Sequence, residues 1–257
     1  MKQIMLACLL MMAAQTSATE VSKCIPTQFD ETVTLAYIND GDTITLTDGR
    51  LVRLIGIDSP EIDFQFANLS QPYANEAKQF LSSVIQPGQT LQLAFDKKRL
   101  DPFGRTLAYV YTTELQHLQE LMLANGFAKA RVYQNDYFWQ CLASVEQLAR
   151  DNRLGLWGHK SYQPLVAESL KREDTHLWQE IRGVVTGYER KSQVLELNIG
   201  ENLVMMISQQ DIGKFSNILT LELLQKTVLV RGKLYFSYGK YRLNTQHLSQ
   251  ITIENTP

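Results

Sequence analysis

Between residues 40 and 61 the sequence gathers acidic side chains around Arg53. Asp40-Gly41-Asp42-Thr43 opens one short apolar run, and Arg53-Leu54-Ile55-Gly56-Ile57-Asp58-Ser59-Pro60-Glu61 closes the next. Arg53 interrupts a stretch, Leu51 to Ile57, that is otherwise apolar on both strand faces. A guanidinium keeps its charge at any ordinary pH, so its head needs a carboxylate, a phosphate or water. Asp42, Asp58 and Glu61 are the carboxylates at hand. Asp42 shares the parity of Ile44 and Leu46, which points it toward the apolar face of its strand. Acids gathered at one end of a barrel repel unless a cation or protons intervene. With no histidine or thiol nearby, such an oxygen set suits Ca²⁺ or Mg²⁺ better than zinc. The same residues also suit a plainer arrangement, with Asp40 and Asp42 making turns and Glu61 capping an element. A second arginine, in Asp101-Pro102-Phe103-Gly104-Arg105, stands on a turn before a strand. Alone it says little, because turn arginines are commonly solvated.

The elements that must position these residues can be read from apolar periodicity. Strands are expected at Thr32–Tyr37, Thr43–Thr47, Leu51–Ile57, Leu91–Phe95 and Thr106–Tyr111, with Asn39-Asp40-Gly41 and Asp48-Gly49 as turns. Helices are expected at Tyr73–Ile85, stopped by Pro87-Gly88, at Leu115–Asn125, stopped by Gly126, and at Tyr137–Asn152. Five short strands interleaved with helices, without a βαβ rhythm, imply a small closed barrel with packed helices. Residues 161–175 turn polar and read as a linker. Beyond them, runs at Ile181–Tyr188, Val194–Ile199, Leu203–Ile207, Thr227–Tyr235 and Ile251–Glu254, with a short helix around Ile212–Ile218, give the element order of a second, smaller OB-like barrel. No sequence repeat links the two blocks.

The chain has 257 residues, enough for two small domains. Lys2 followed by the apolar run Ile4–Ala14 and small residues to Ala18 has the layout of a secretory signal over residues 1–18. A periplasmic or secreted location is therefore expected, with no membrane span in the mature form. Cys24 and Cys141 remain after cleavage. In an oxidising compartment they can pair as a disulfide, or stay as two buried thiols.

The acidic and arginine segments, together with Asp-x-x-Gly-Arg-x-Leu-Ala-Tyr, Gly-Phe-Ala-Lys and Gly-Leu-Trp, resemble the staphylococcal nuclease (thermonuclease) family from about Val33 to Gly158. The resemblance implies an α+β, mainly β fold: a five-stranded OB-type barrel with three helices, here 19–160, ahead of the OB-like block 176–257. It also implies Ca²⁺-dependent hydrolysis of phosphodiester bonds in DNA and/or RNA, by a monomer. Asp42 and Asp58 match the carboxylates that hold Ca²⁺, and Ser59 matches a position that offers its backbone carbonyl. Glu61 matches the proposed general base, and Arg53 and Arg105 the two phosphate-binding arginines. Phe103 can stack on a base and Tyr133 keeps one aromatic of a Tyr-x-Tyr pattern. Pro102-Phe103 replaces Lys-Tyr, and Arg131 stands where the pattern has the first tyrosine.

Residues 19–160 hold 13 basic and 17 acidic residues, an unusual balance for a protein that grips nucleic acid. The pairs or runs Lys97-Lys98-Arg99, Lys129 with Arg131, and Arg150 with Arg153 offer local positive patches. In the second block, Tyr235, Phe236, Tyr238 and Tyr241 with Lys240 and Arg242 suggest either a strip for single strands or ordinary hairpin residues. The competing functional readings are a barrel of this type that binds nucleic acid or peptide without cutting, and an exported adaptor that uses both barrels for protein contacts. All five acid and arginine side chains are present, which favours the enzyme.

Overall fold

The computed structural model describes residues 24–254; the expected signal segment lies outside them. The first barrel is built from β1 (Glu31–Ile38), β2 (Thr43–Leu46), β3 (Leu51–Leu54), β5 (Thr90–Ala94) and β6 (Thr106–Thr112). They close in the order β1-β2-β3-β6-β5, and the β3–β6 pair is parallel. Three helices, α1 (Ala74–Val84), α2 (Leu118–Ala124) and α3 (Trp139–Asp151), cover it. Alternation puts Leu35, Ile44, Leu46, Val52, Leu54, Leu91 and Leu93 in one fully buried core, joined by Leu81, Met122 and Leu142 from the helices. This is the expected architecture.

One expected strand divides. Leu51–Ile57 was expected to run unbroken, but Gly56 has φ +83° and the chain turns there. A Cβ at position 56 would meet Leu142 at 2.6 Å. Past the turn, β4 (Gly56–Asp58) leaves the barrel and pairs antiparallel with β7 (Lys129–Arg131), which sets Asp58 opposite Lys129 and Gly56 opposite Arg131. Sequence periodicity missed β7 because three residues carry too little alternation to register.

The second barrel joins β9 (Trp178–Arg190), β10 (Val194–Ile199), β11 (Leu203–Ser208), β12 (Thr227–Ser237) and β13 (Lys240–Thr245). Its ring, β9-β10-β11-β13-β12 and back to β9, repeats the order of the first barrel, again with a parallel pair between third and fifth strands. The fifth strand is Lys240–Thr245, whereas the apolar run expected to fill that place, now β14 (Ile251–Glu254), adds to the outside of β12. Lys240-Tyr-Arg-Leu-Asn-Thr hides as a strand because its buried face is Tyr241, Leu243 and Thr245, of which only Leu243 is aliphatic. The stretch 161–175 is more than a linker: β8 (Leu165–Val166) pairs with β9, and Ala167 and Leu170 enter the second core. The expected helix near 212–218 is a single 3₁₀ turn, Ile212–Phe215.

A buried charge chain ties the barrels together. Glu180 on β9 takes two hydrogen bonds from Arg150 of α3, at 2.9 and 2.7 Å. Arg150 also reaches Glu146 at 3.1 Å, and Arg231 of β12 approaches Glu180 at 3.5 Å. The surrounding guanidinium groups outweigh the burial of Glu180 and bring its carboxyl down to about 2. Such a network is costly to break by removing one partner, since a buried charge is left behind.

Cys24 and Cys141 form a disulfide, Cα–Cα 5.8 Å, between the N-terminal arm and α3 across 117 residues. In the chain-entropy picture such a closure stabilises by roughly 4–5 kcal/mol, often less when measured. Urea unfolding with and without reductant should therefore show a clear fall in the midpoint on reduction. An unchanged midpoint would mean the bond constrains the unfolded chain very little.

Candidate active site

The sequence brings Asp42, Arg53, Asp58 and Ser59 into direct contact at one end of the first barrel. Asp42 sits at the entry to β2 and is 3% exposed; Arg53 on β3 is 8% exposed. The β2–β3 register sets Thr43 opposite Arg53, so the preceding acid faces the guanidinium. Arg53 Nη1 contacts Asp42 Oδ1. Its Nη2 donates to Asp58 Oδ1 at 2.9 Å and to the Ile57 carbonyl at 3.3 Å. The other oxygen of Asp42 accepts the Ser59 N–H at 2.7 Å. One buried cation thus bridges two acids.

More negative charge surrounds it. Asp40 makes the expected turn, its carboxylate accepting the Asp42 N–H at 3.0 Å, and so stands beside the site. Burial pushes Asp40 above the usual carboxylate range, against the pull of Arg53. Glu61 lies at the rim, where its backbone is clamped to Gln71 by reciprocal hydrogen bonds of 3.1 and 3.0 Å. Partial desolvation, then the charge of Asp40, raises its carboxyl, while Arg53 and Arg105 pull it down. Arg105 does not join the Arg53 cluster directly. Its Nε is held by Asp101 at 2.6 Å, on the turn that leaves Phe103 85% exposed.

Arg131 is the residue that sequence reasoning did not assign. Its Nη1 donates to Asp58 Oδ2, so Asp58 is gripped on both oxygens. Tyr133 is 60% exposed, with its ring centre 4.6 Å from the Arg131 guanidinium carbon. Its advance signals were its place where the family pattern has a tyrosine and its nearness to Lys129, and neither pointed to Asp58.

The positive patches expected from the sequence are largely spent on internal partners. Lys97 pairs with Asp136 at 2.6 Å, Arg99 with Asp30 at 3.6 Å, Arg131 with Asp58 and Arg150 with Glu180. The aromatic strip of the second barrel is also broken up. Tyr241 faces the core, Arg172 covers Phe236 at 3.4 Å, and Tyr235 bonds Asn244 and Met206. Tyr238 is 94% exposed, with the Arg242 guanidinium carbon 5.8 Å from its ring centre.

An ion at this site would have oxygen ligands only. Asp42, Asp58 and the Ser59 carbonyl fit a hard cation that keeps part of its water. Burial first of all raises the carboxyls of Asp40 and Glu61 beside it, against the pull of Arg53 and Arg105. Among the described residues, the tightest cluster of potential ligands is Cys24, Cys141 and Glu120, but its two sulfurs are bonded to each other and offer no thiolate.

Comparison with known proteins places the chain. Residues 51–159 match the family described as staphylococcal nuclease homologue. The thermonuclease of Staphylococcus hyicus is 31% identical over 134 residues, a span covering 51% of this chain and 78% of that protein. The chain belongs to the staphylococcal nuclease family. The SPbeta prophage-derived endonuclease YokF of Bacillus subtilis is 38% identical over 136 residues, and endonuclease YncB of the same organism 36% over 136. Each match covers 51% of this chain, with 45% of YokF and 63% of YncB. These relatives support a nuclease function. The family match ends before β9, so the second barrel is an addition to it.

Gly41 shows how tightly the acidic turn is seated. A Cβ there would lie 2.8 Å from both Ala77 and Ser59. Gly41→Ala should therefore displace the 40–42 turn from Ser59, lowering the thermal midpoint and any activity of the site together. A variant with unchanged midpoint and activity would show that the turn tolerates the shift.

Proposed function

We propose that the protein is an exported nuclease that hydrolyses phosphodiester bonds of DNA and/or RNA with Ca²⁺ as its ion. The observation that carries this reading is the buried Arg53 shared by Asp42 and Asp58, with Glu61 and Arg105 close enough to act on the same charges. Family membership supports the reaction class. The apolar start of the chain and the Cys24–Cys141 bond support export into an oxidising compartment. Among the described residues no helix is long and apolar enough to cross a membrane.

Asp42, Asp58 and the Ser59 carbonyl would hold the ion. When bound, it supplies positive charge to a phosphate oxygen. Arg53 turns from its acids to the phosphate, where its planar fork can donate to two oxygens. Arg105, on its exposed turn, donates to the same group and stabilises charge that builds as water attacks phosphorus. Glu61 takes the proton from that water as the new O–P bond forms and the P–O bond to the leaving sugar oxygen breaks. Burial raises its carboxyl above that of an exposed glutamate, which makes its carboxylate the stronger base. Phe103 and Tyr133 present open ring faces to the flanking bases.

Plasmid cleavage with Ca²⁺, repeated with chelator, tests this reading. Glu61→Gln should lose roughly 10²–10⁴-fold in turnover with folding intact, the usual share of a positioned base. Arg53→Lys and Arg105→Lys should both cleave poorly, because an ammonium is a point charge and not a fork. Wild-type rates in Glu61→Gln would overturn its assignment, and nucleic-acid binding without cleavage by the unmodified protein would favour a binding module.

A further inference from the structure

Strand β9 carries a side chain of the second barrel to the site in the first. Trp178 and Glu180 are two residues apart on one strand and share its face. That face looks toward the first barrel, while Ile181 is buried in the second core. Glu180 meets Arg150, and Trp178 meets Arg131, whose guanidinium carbon lies 4.3 Å from the tryptophan ring centre. The ring of Tyr133 stands at 4.6 Å from the same carbon. Hydrogen bonding alone does not fix this guanidinium, because Arg131 Nε is buried without a partner. Both rings pack close to it, and Nη1 donates to Asp58 Oδ2.

We propose that Trp178 is a positioning residue of the nuclease site: it clamps Arg131 against Tyr133 and so keeps Asp58 aimed at the ion, which makes the second barrel part of the site. The inference rests on the nuclease reading above. Arg53 can leave Asp58 for a phosphate only if Asp58 keeps another anchor, and Arg131 is that anchor. The tyrosine-to-arginine departure at 131 and the added barrel then belong together, since a free arginine beside Asp58 would swing between many rotamers. Buried Glu180, locked between Arg150 and Arg231, holds the stretch of β9 that presents Trp178.

The test is a double-mutant cycle in the full chain, using Trp178→Ala, Arg131→Ala and the pair, with Trp178→Phe as the conservative variant. Cleavage of a single-stranded oligonucleotide is followed across a Ca²⁺ titration, Ca²⁺ binding is measured by calorimetry without substrate, and thermal midpoints are recorded. Trp178→Ala should lower kcat by about tenfold, the low end for losing an outer partner of an ion-holding carboxylate. It should also raise the Ca²⁺ concentration needed and weaken calorimetric binding, with KM for the oligonucleotide little changed. Trp178→Phe should recover most of the loss, and the pair should be no worse than Arg131→Ala alone. Additive losses, or Trp178→Ala with normal kcat and Ca²⁺ affinity in an active wild type, would overturn the role of Trp178. A lowered midpoint that Trp178→Phe restores without restoring kcat would do the same. Wild-type protein inert with Ca²⁺ would instead sink the nuclease reading.

Discussion

A guanidinium that cannot lose its proton, buried between two carboxylates, governs this end of the first barrel. Arg53 and Asp42 are both almost wholly enclosed, so each depends on the other for its charge to be tolerated there. Removing one member of such a pair typically costs about 3–5 kcal/mol, because the other stays buried and unpaired. The surrounding backbone follows from that need. The β2–β3 register brings Asp42 to Arg53, and the turn at Gly56 swings Asp58 back to the same guanidinium. Ser59 completes the closure by donating its N–H to Asp42.

Further acids lie close to this pairing, and burial acts on them too. Asp40 and Glu61 share the region and both resist ionisation more than an exposed acid would. Arg105 is partly spent on Asp101, and Arg131 on Asp58. On the proposed function, a hard ion held by Asp42 and Asp58 would take over part of their pairing with Arg53 and leave that guanidinium available to a phosphate.

How much of this was legible in the sequence depended on range. Arg53 stood out because it broke an apolar run, and Asp42 because its parity matched buried neighbours; both are local signals. The first barrel and its helices were readable from alternation and from the stops at Pro87-Gly88 and Gly126. Asp40 was read as a turn residue, which it is, but nothing local says that the turn will be pressed against Ser59. Arg131 and Trp178 were out of reach because their meaning arises from partners far apart in the chain, Asp58 for one and the other barrel for the other. The second barrel's closing strand was misplaced because the more apolar Ile251–Glu254 drew attention from Lys240–Thr245. Matching ring orders in the two barrels left no trace in sequence, as pairing order constrains backbone geometry and not residue identity.

The most direct test of the proposed ion site is calorimetric titration of Ca²⁺ into the wild-type protein and into Asp42→Asn, both checked for folding by circular dichroism. Wild type should take up about one ion per chain through its oxygen ligands, and Asp42→Asn should bind none in the same concentration range. Equal binding by the two proteins would contradict the assignment, because the ion would then sit away from the acids that share Arg53.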